Sequence, residues 1–193
     1  MGSPGHNVGM GASLKGQLLI ASPSIHDPNF RRTVVYMTEH GEEGAMGLVL
    51  NRAAETTVGE AVPDLAWLAD EAAVVHVGGP VSPQSVVVLA EFEEPDQSAL
   101  IVESDLGFVP AEVDDTAALA EALGRRRVFA GHAGWGPGQL DAELEDDGWI
   151  VVRDPEPDEI FTEDPEGLWA AVLERKGGRY VLVARMPEDP SVN

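Results

Sequence analysis

Apolar residues gather in short blocks along this chain, set apart by glycine, proline and acidic residues. Gln17 to Ala21, Thr33 to Thr38 and Ala45 to Leu50 are rich in Val and Leu, and their length predicts buried strands. Between the last two lies Glu39-His40-Gly41-Glu42-Glu43-Gly44, a short glycine-bearing connector that predicts a hairpin. Thr57 followed three residues on by Glu60 has the spacing of a capping box, so a short helix is expected to start there and to end or restart at Pro63. Val74 to Val77, Val86 to Leu89 and Leu100 to Val102 read as further strands.

In the second half the period changes. Asp114 to Leu123 places Leu119 and Leu123 one turn apart behind an acidic start, the pattern of a helix, and Arg125 to Arg127 follow where cations suit the helix dipole. Val128 to Ala130 is a predicted strand that enters a glycine-rich segment. Leu140 and Leu144 mark a short amphipathic helix closed by Gly148, and Trp149 to Val152 is a strand. Asp164 to Lys176 gives the clearest helix, with Asp164 as cap and Pro165 at the first position. Tyr180 to Ala184 reads as a last strand. Strands outnumber helices and several follow one another directly, which points to an α+β fold rather than a doubly wound sheet.

Composition narrows this picture. The chain has 193 residues, enough for one large domain, and 44% are hydrophobic, enough for a core. One domain is expected over residues 14–186, between a flexible tail at 1–13 and a loose end at 187–193. No apolar run approaches the ~18 residues of a membrane span. No basic segment followed by an apolar stretch opens the chain, so a cytoplasmic location is expected. With no cysteine, disulfides, thiol catalysis and cysteine-ligated zinc are excluded. The formal net charge is -22, from 34 acidic and 12 basic residues. A field of that sign repels nucleic-acid phosphates and anionic membrane surfaces, so neither is an expected partner.

Chemistry is concentrated in three places. Gly131-His132-Ala133-Gly134-Trp135-Gly136-Pro137-Gly138-Gln139 lies between a predicted strand and a predicted helix. Glycine lets the backbone approach a ligand, and a helix start presents open N–H groups, so Gly131, His132, Gly134, Trp135, Gly136, Gly138 and Gln139 are candidates for contact with an anion. A tight structural turn with Trp135 packed over it is the alternative. Asp27 to Arg32 joins the first two strands. Asp27-Pro28 suits a turn, Phe30 an anchor in the core, and Arg31 and Arg32 either ion pairs or an anionic ligand. A further polar group comprises Glu39 and His40 at one end of the hairpin and Asn51 and Arg52 at the other, near Arg32 and Thr33. Glu39 beside His40 could carry acid–base chemistry. No histidine spacing points to a metal, and no motif points to a cofactor or an activated serine.

The segments LLIASP, DPNFRRTVVYMTEH, EEGAMGLVLNR, VGGPV and AGWGPGQLDAEL, with Trp149, Phe161 and Trp169 beyond them, resemble the AlgH/YqgE family of small bacterial proteins. The resemblance spans roughly Gly16 to Leu173. It implies an α+β fold with a bent, partly barrel-like mixed β-sheet and helices packed outside. It implies little chemistry, since the family's name reflects a proposed regulator of alginate synthesis. The resulting expectation is a regulatory module without catalysis that binds a small anionic ligand or a protein. The alternative is a hydrolase or transferase acting on a phosphorylated small molecule, with His40 or His132 as proton carrier. Direct DNA binding is the third reading, and the net charge opposes it.

Overall fold

The computed structural model describes residues 12–187. The tails expected at either end of the chain lie almost wholly outside them. Ten strands form one open sheet. In chain order they are β1 (Leu18–Ala21), β2 (Val34–Gly41), β3 (Gly44–Val49), β4 (Ala53–Thr57), β5 (Val74–Val77), β6 (Val81–Phe92), β7 (Leu100–Glu103), β8 (Leu106–Phe108), β9 (Leu123–Trp135) and β10 (Trp149–Val152). The main path runs β10-β1-β2-β3-β9-β6-β8-β7. β5 pairs with β4 on one side and lies parallel to β9 on the other, through His76 opposite Phe129. Every other pairing is antiparallel, so the sheet is mixed, and its two end strands do not meet. The helices are α1 (Val58–Ala61), α2 (Thr116–Ala122), α3 (Gln139–Glu145), α4 (Pro157–Ile160), α5 (Leu168–Lys176) and α6 (Tyr180–Ala184).

Both faces of the β10-β1-β2-β3 half are covered, which is why β1 reads as unbroken apolar sequence. Leu18 and Ile20 face a core shared with Tyr36, Trp169 and Leu173. Their neighbours Leu19 and Ala21 face the opposite core, with Met37, Trp135, Leu140 and Trp149. A third core, of Val58, Leu68, Val88, Leu119 and Val128, lies beneath α1 and α2. Trp169 ties α5 to the sheet by donating its indole N–H to the Ala21 carbonyl at 2.9 Å. Burying a side chain of that size contributes roughly 3 kcal/mol.

The hairpin, the Thr57–Glu60 capping box and the strands at Val74–Val77 and Trp149–Val152 stand where the sequence places them. Four expectations change. The strand expected over Val128–Ala130 runs from Leu123 to Trp135, because β6 and β3 pair with its two ends and carry it through the glycines. Arg125 to Arg127 therefore lie within β9, yet Arg126 keeps the expected helix-end role, donating to the Ala120 and Leu123 carbonyls where α2 ends. Tyr180–Ala184 is a helix. Gly177 and Gly178, at φ 75° and 59°, turn the chain back so that α6 follows α5 instead of reaching a sheet edge. A five-residue apolar run cannot itself distinguish the two states. The clearest helix begins at Leu168, and Asp164 accepts from the Gly167 N–H ahead of it at 3.0 Å. Strands β4 and β8 carry no sequence signal, being short and lacking a clean apolar pattern.

Candidate functional site

The glycine-rich segment is mostly strand. Gly131 is buried with φ 70°, and a side chain there would collide with the Gly79 carbonyl. Gly44, at φ 129°, meets the Trp135 carbonyl in the same way. These positions let neighbouring backbones approach, a structural reason for glycine. Beyond Trp135, the Gly136 N–H donates to the Gln139 Oε1 at 3.0 Å, and the Gln139 N–H donates to the Gly136 carbonyl at 3.1 Å. Gly138 takes the left-handed conformation before α3. Asp141 puts a negative charge in the first turn, where an anion would have to sit.

The polar groups here converge on Glu143. Its Oε2 accepts from the indole N–H of Trp135 at 2.9 Å and of Trp149 at 2.8 Å, and its Oε1 accepts from the Gln139 side chain at 2.9 Å. Phe30 closes the group, its ring centroid 6.3 Å from Trp135 and 5.8 Å from Trp149. The Asp27–Arg32 segment thus meets the glycine-rich segment through an aromatic contact. Asp27 accepts from the Asn29 N–H at 2.8 Å, forming a turn. Arg31 is exposed. The Arg32 guanidinium lies 4.4 Å from the Trp169 ring and donates to the Met186 carbonyl.

The polar group of the hairpin divides as its geometry requires. Asn51 accepts from the Val34 N–H at 2.9 Å and donates to the Arg32 carbonyl at 2.8 Å, while Arg52 donates to the Arg31 carbonyl at 2.6 Å. Both residues stitch the Asp27–Arg32 loop to the sheet. At the other end, the His40 Nδ1 accepts from the Leu14 N–H at 3.0 Å, and its Nε2 lies 3.8 Å from Asp141. Glu39, His40 and Trp135 line a surface hollow of about 660 Å³ that includes no residue of Asp27–Arg32. His132 is half-buried in β9 opposite Val81.

A different arrangement stands at the opposite end of β9. There β5 pairs with β9 only at Phe129 and Ala130, and a cavity of about 800 Å³ opens beside residues 124–128. Arg125, Arg126, Arg127 and His76 line it, with Leu68 and Phe161 among its apolar walls. Arg125 is neutralised. It meets Glu91 at 2.7 Å and Asp158 at 2.7 Å, and its hydrogen bonds hold the Glu91 carboxyl below the usual carboxylate range. Arg126 and Arg127 form no ion pair among the described residues. Arg126 donates to carbonyls at Leu68, Ala120, Leu123 and Gly124, and Arg127 to Ile160 at 3.3 Å and to Thr162. Burial pushes the Arg127 guanidinium down to about 10. His76 is 6% exposed, and its Nδ1 lacks a hydrogen-bond partner among the described residues. Burial, with the Arg127 charge beside it, lowers its pKa to about 4, so the ring is neutral at pH 7. Asp70 and Glu163, both exposed, also line the cavity.

In sequence, Arg126 and Arg127 read as a helix end, and nothing singles out His76. The available signals are three consecutive arginines in a chain with 34 acidic residues and one histidine inside a run of valines. Among the described residues, no group of three or more His, Asp or Glu is placed to hold a metal ion. No helix among them is long and apolar enough to cross a membrane.

An open, mostly antiparallel sheet with helices outside it defines an α+β protein whose longest strand carries a tryptophan–glutamate cluster at one end and arginines lining a cavity at the other. The chain belongs to the AlgH-like family (DUF179), whose profile matches residues 18–181. It is 44% identical over 188 residues to a UPF0301 protein of Streptomyces coelicolor, covering 94% of this chain and 96% of that one. It is 38% identical to a UPF0301 protein of Thermobifida fusca, with the same coverage. Among solved structures, protein DIP2367 from Corynebacterium diphtheriae matches with a TM-score of 0.81 at 25% identity, over 92% of this chain and 94% of that one. The AlgH protein from Pseudomonas aeruginosa matches with a TM-score of 0.64 at 32% identity, over 97% and 98%.

Proposed function

We propose that this protein is a non-catalytic binding module for a small anionic ligand, and that its seat is the cavity at Arg126 and Arg127. One observation carries the reading. In a chain of 34 acidic and 12 basic residues, two half-buried guanidiniums face a cavity with no carboxylate partner among the described residues. A desolvated cation is costly unless something negative meets it, and arginine is the side chain whose planar fork suits an oxyanion. Apolar walls beside such charges match the usual make-up of a small-molecule site. A regulatory role fits a module that binds without turning its ligand over.

The glycine-rich segment supports this use less well. Its Gly136 amide is filled by Gln139, and Trp135 is engaged by Glu143. The catalytic alternative gains one supporting distance, His40 within 3.8 Å of Asp141 on α3, but that same carboxylate opposes an oxyanion at the helix start.

Isothermal titration with sulfate, phosphate and citrate at constant ionic strength tests the reading. Binding is expected for the wild-type protein, with at least a tenfold loss in Arg127→Gln and a retained fold by circular dichroism. Sulfate also stabilises proteins generally by exclusion from their surface. That effect persists in the variant, whereas occupancy of a site does not. Equal heats for wild type and variant would remove the arginine cavity as the seat.

A further inference from the structure

We propose that the Arg126–Arg127 cavity takes a tetrahedral dianion, the phosphate group of a small molecule or free phosphate, and that its arrival brings a proton to His76. This rests on the reading of the cavity as an anion seat and adds both the ligand class and a pH response.

Arg127 and His76, with Arg126 from the opposite face of the strand, line the cavity at the open edge of β9 and together offer donors to a tetrahedral oxyanion. Each guanidinium offers a fork of N–H groups, and charge-assisted bonds to phosphate-type oxygens are among the stronger ones in proteins. Part of each fork is already used on backbone carbonyls, which fixes the guanidiniums in place. A single tetrahedral ion does not fill about 800 Å³. Val58, Leu68 and Phe161 line the remainder, so an organic body attached to the phosphate has apolar surface to rest on.

His76 supplies the other half of the argument. The groups around it are arranged against a positive charge. β9 presents Phe129, at 5.8 Å between ring centroids, and the cation of Arg127. Arg125 and Arg126 line the same cavity from β9, the carboxylates Asp70 and Glu163 line it too, and β4 contributes the uncharged Ala53 opposite His76. Burial disfavours the charged ring most, the Arg127 charge adds to that, and the Val74 backbone on its own strand opposes both. A dianion at the strand edge beside Arg127 acts on the second of these causes. It cancels the Arg127 field and offers the ring an acceptor, and both changes favour imidazolium. Ligand binding and proton uptake are then linked, so acid tightens the complex.

Sulfate is the suitable probe, because it stays dianionic at mildly acid pH. If the bound anion returns His76 to the ordinary histidine range, affinity is roughly eightfold higher at pH 5.5 than at pH 7. The His76→Gln variant is expected to bind sulfate with no such pH response. Phenyl phosphate compared with inorganic phosphate at one pH separates the two sources. Tighter binding of the ester assigns the cavity to a phosphorylated small molecule, and equal binding assigns it to free phosphate. Should His76→Gln fail to fold, the His76 imidazole resonance of the wild type, titrated by NMR with and without sulfate, gives the same answer as an upward shift of its midpoint. Sulfate affinity that is flat or weaker at pH 5.5, or a pH response that survives in His76→Gln, overturns the proton linkage and leaves the anion seat standing. Absence of binding by sulfate, phosphate and phenyl phosphate at both pH values removes the anion seat as well.

Discussion

At its Trp135 end, β9 hands an indole N–H to Glu143, which also takes the Trp149 indole and the Gln139 amide, while Gln139 closes the Gly136 backbone. At its Arg126 end, the same strand sends two cations to the lining of a cavity, where they bond carbonyls and form no ion pair among the described residues, although Asp70 and Glu163 also line it. The Trp135 end is chemically rich in sequence, and in three dimensions its two indoles and the Gly136 amide are taken up by Glu143 and Gln139. The Arg126 end has the sequence of a helix terminus and keeps its charge open to the cavity. Polar residues that satisfy one another report on stability. Those left with capacity facing a cavity report on binding.

The sharpest test of this contrast is Trp135→Ala. Truncating a buried indole at the centre of three rings is expected to cost about 3–5 kcal/mol in denaturant unfolding, while sulfate affinity at the far end stays unchanged. A loss of sulfate binding in a folded Trp135→Ala protein would couple the two ends and break the comparison.

His76 gives the next largest effect. Its folded pKa is depressed to about 4 from an ordinary 6.5. Between those values the unfolded chain binds the proton and the folded one does not. Stability therefore falls as pH drops through that window, by up to about 3 kcal/mol. Urea midpoints from pH 7 to 4 should show a steeper decline for wild type than for His76→Gln, and added sulfate should shrink the difference. Parallel curves for the two proteins would mean that His76 titrates normally.

A smaller loss, about 2 kcal/mol, is expected for Glu143→Gln, which removes the charge but keeps one acceptor for two indoles. Near-ultraviolet circular dichroism should report the disturbed tryptophans. An unchanged melting temperature would show that the carboxylate does not organise the cluster.

The smallest change in stability is expected for Arg127→Gln, within about 1 kcal/mol. Relief of a desolvated cation offsets the loss of two bonds to carbonyls. Its effect should appear in anion titration instead. A stability loss above about 3 kcal/mol would make Arg127 a clamp for the Ile160–Thr162 turn rather than a ligand contact.

How far the site can be read from sequence depends on where each signal originates. Asn51 and Arg52 are expected near Arg32 because hairpin geometry fixes which residues share an end, and hydrogen bonds to the Arg32 and Arg31 carbonyls place them there. The capping box at Thr57 is visible because its two partners are three residues apart. Glu143 is hidden in sequence, since its three donors come from β9, α3 and β10 and nothing local marks an acid that collects them. His76 and Arg127 are hidden for the same reason. Their proximity follows from the parallel pairing of β5 with β9, across more than fifty positions of chain.

The sequence alone determined the elements whose cause is local: apolar blocks of strand length, the hairpin turn, the capping box, and an acidic net charge. Tertiary structure decided which polar groups are filled and which are open. Whether an arginine meets a carboxylate or a cavity depends on which strands lie beside it, and that pairing is set by non-local burial rather than by neighbours in the chain.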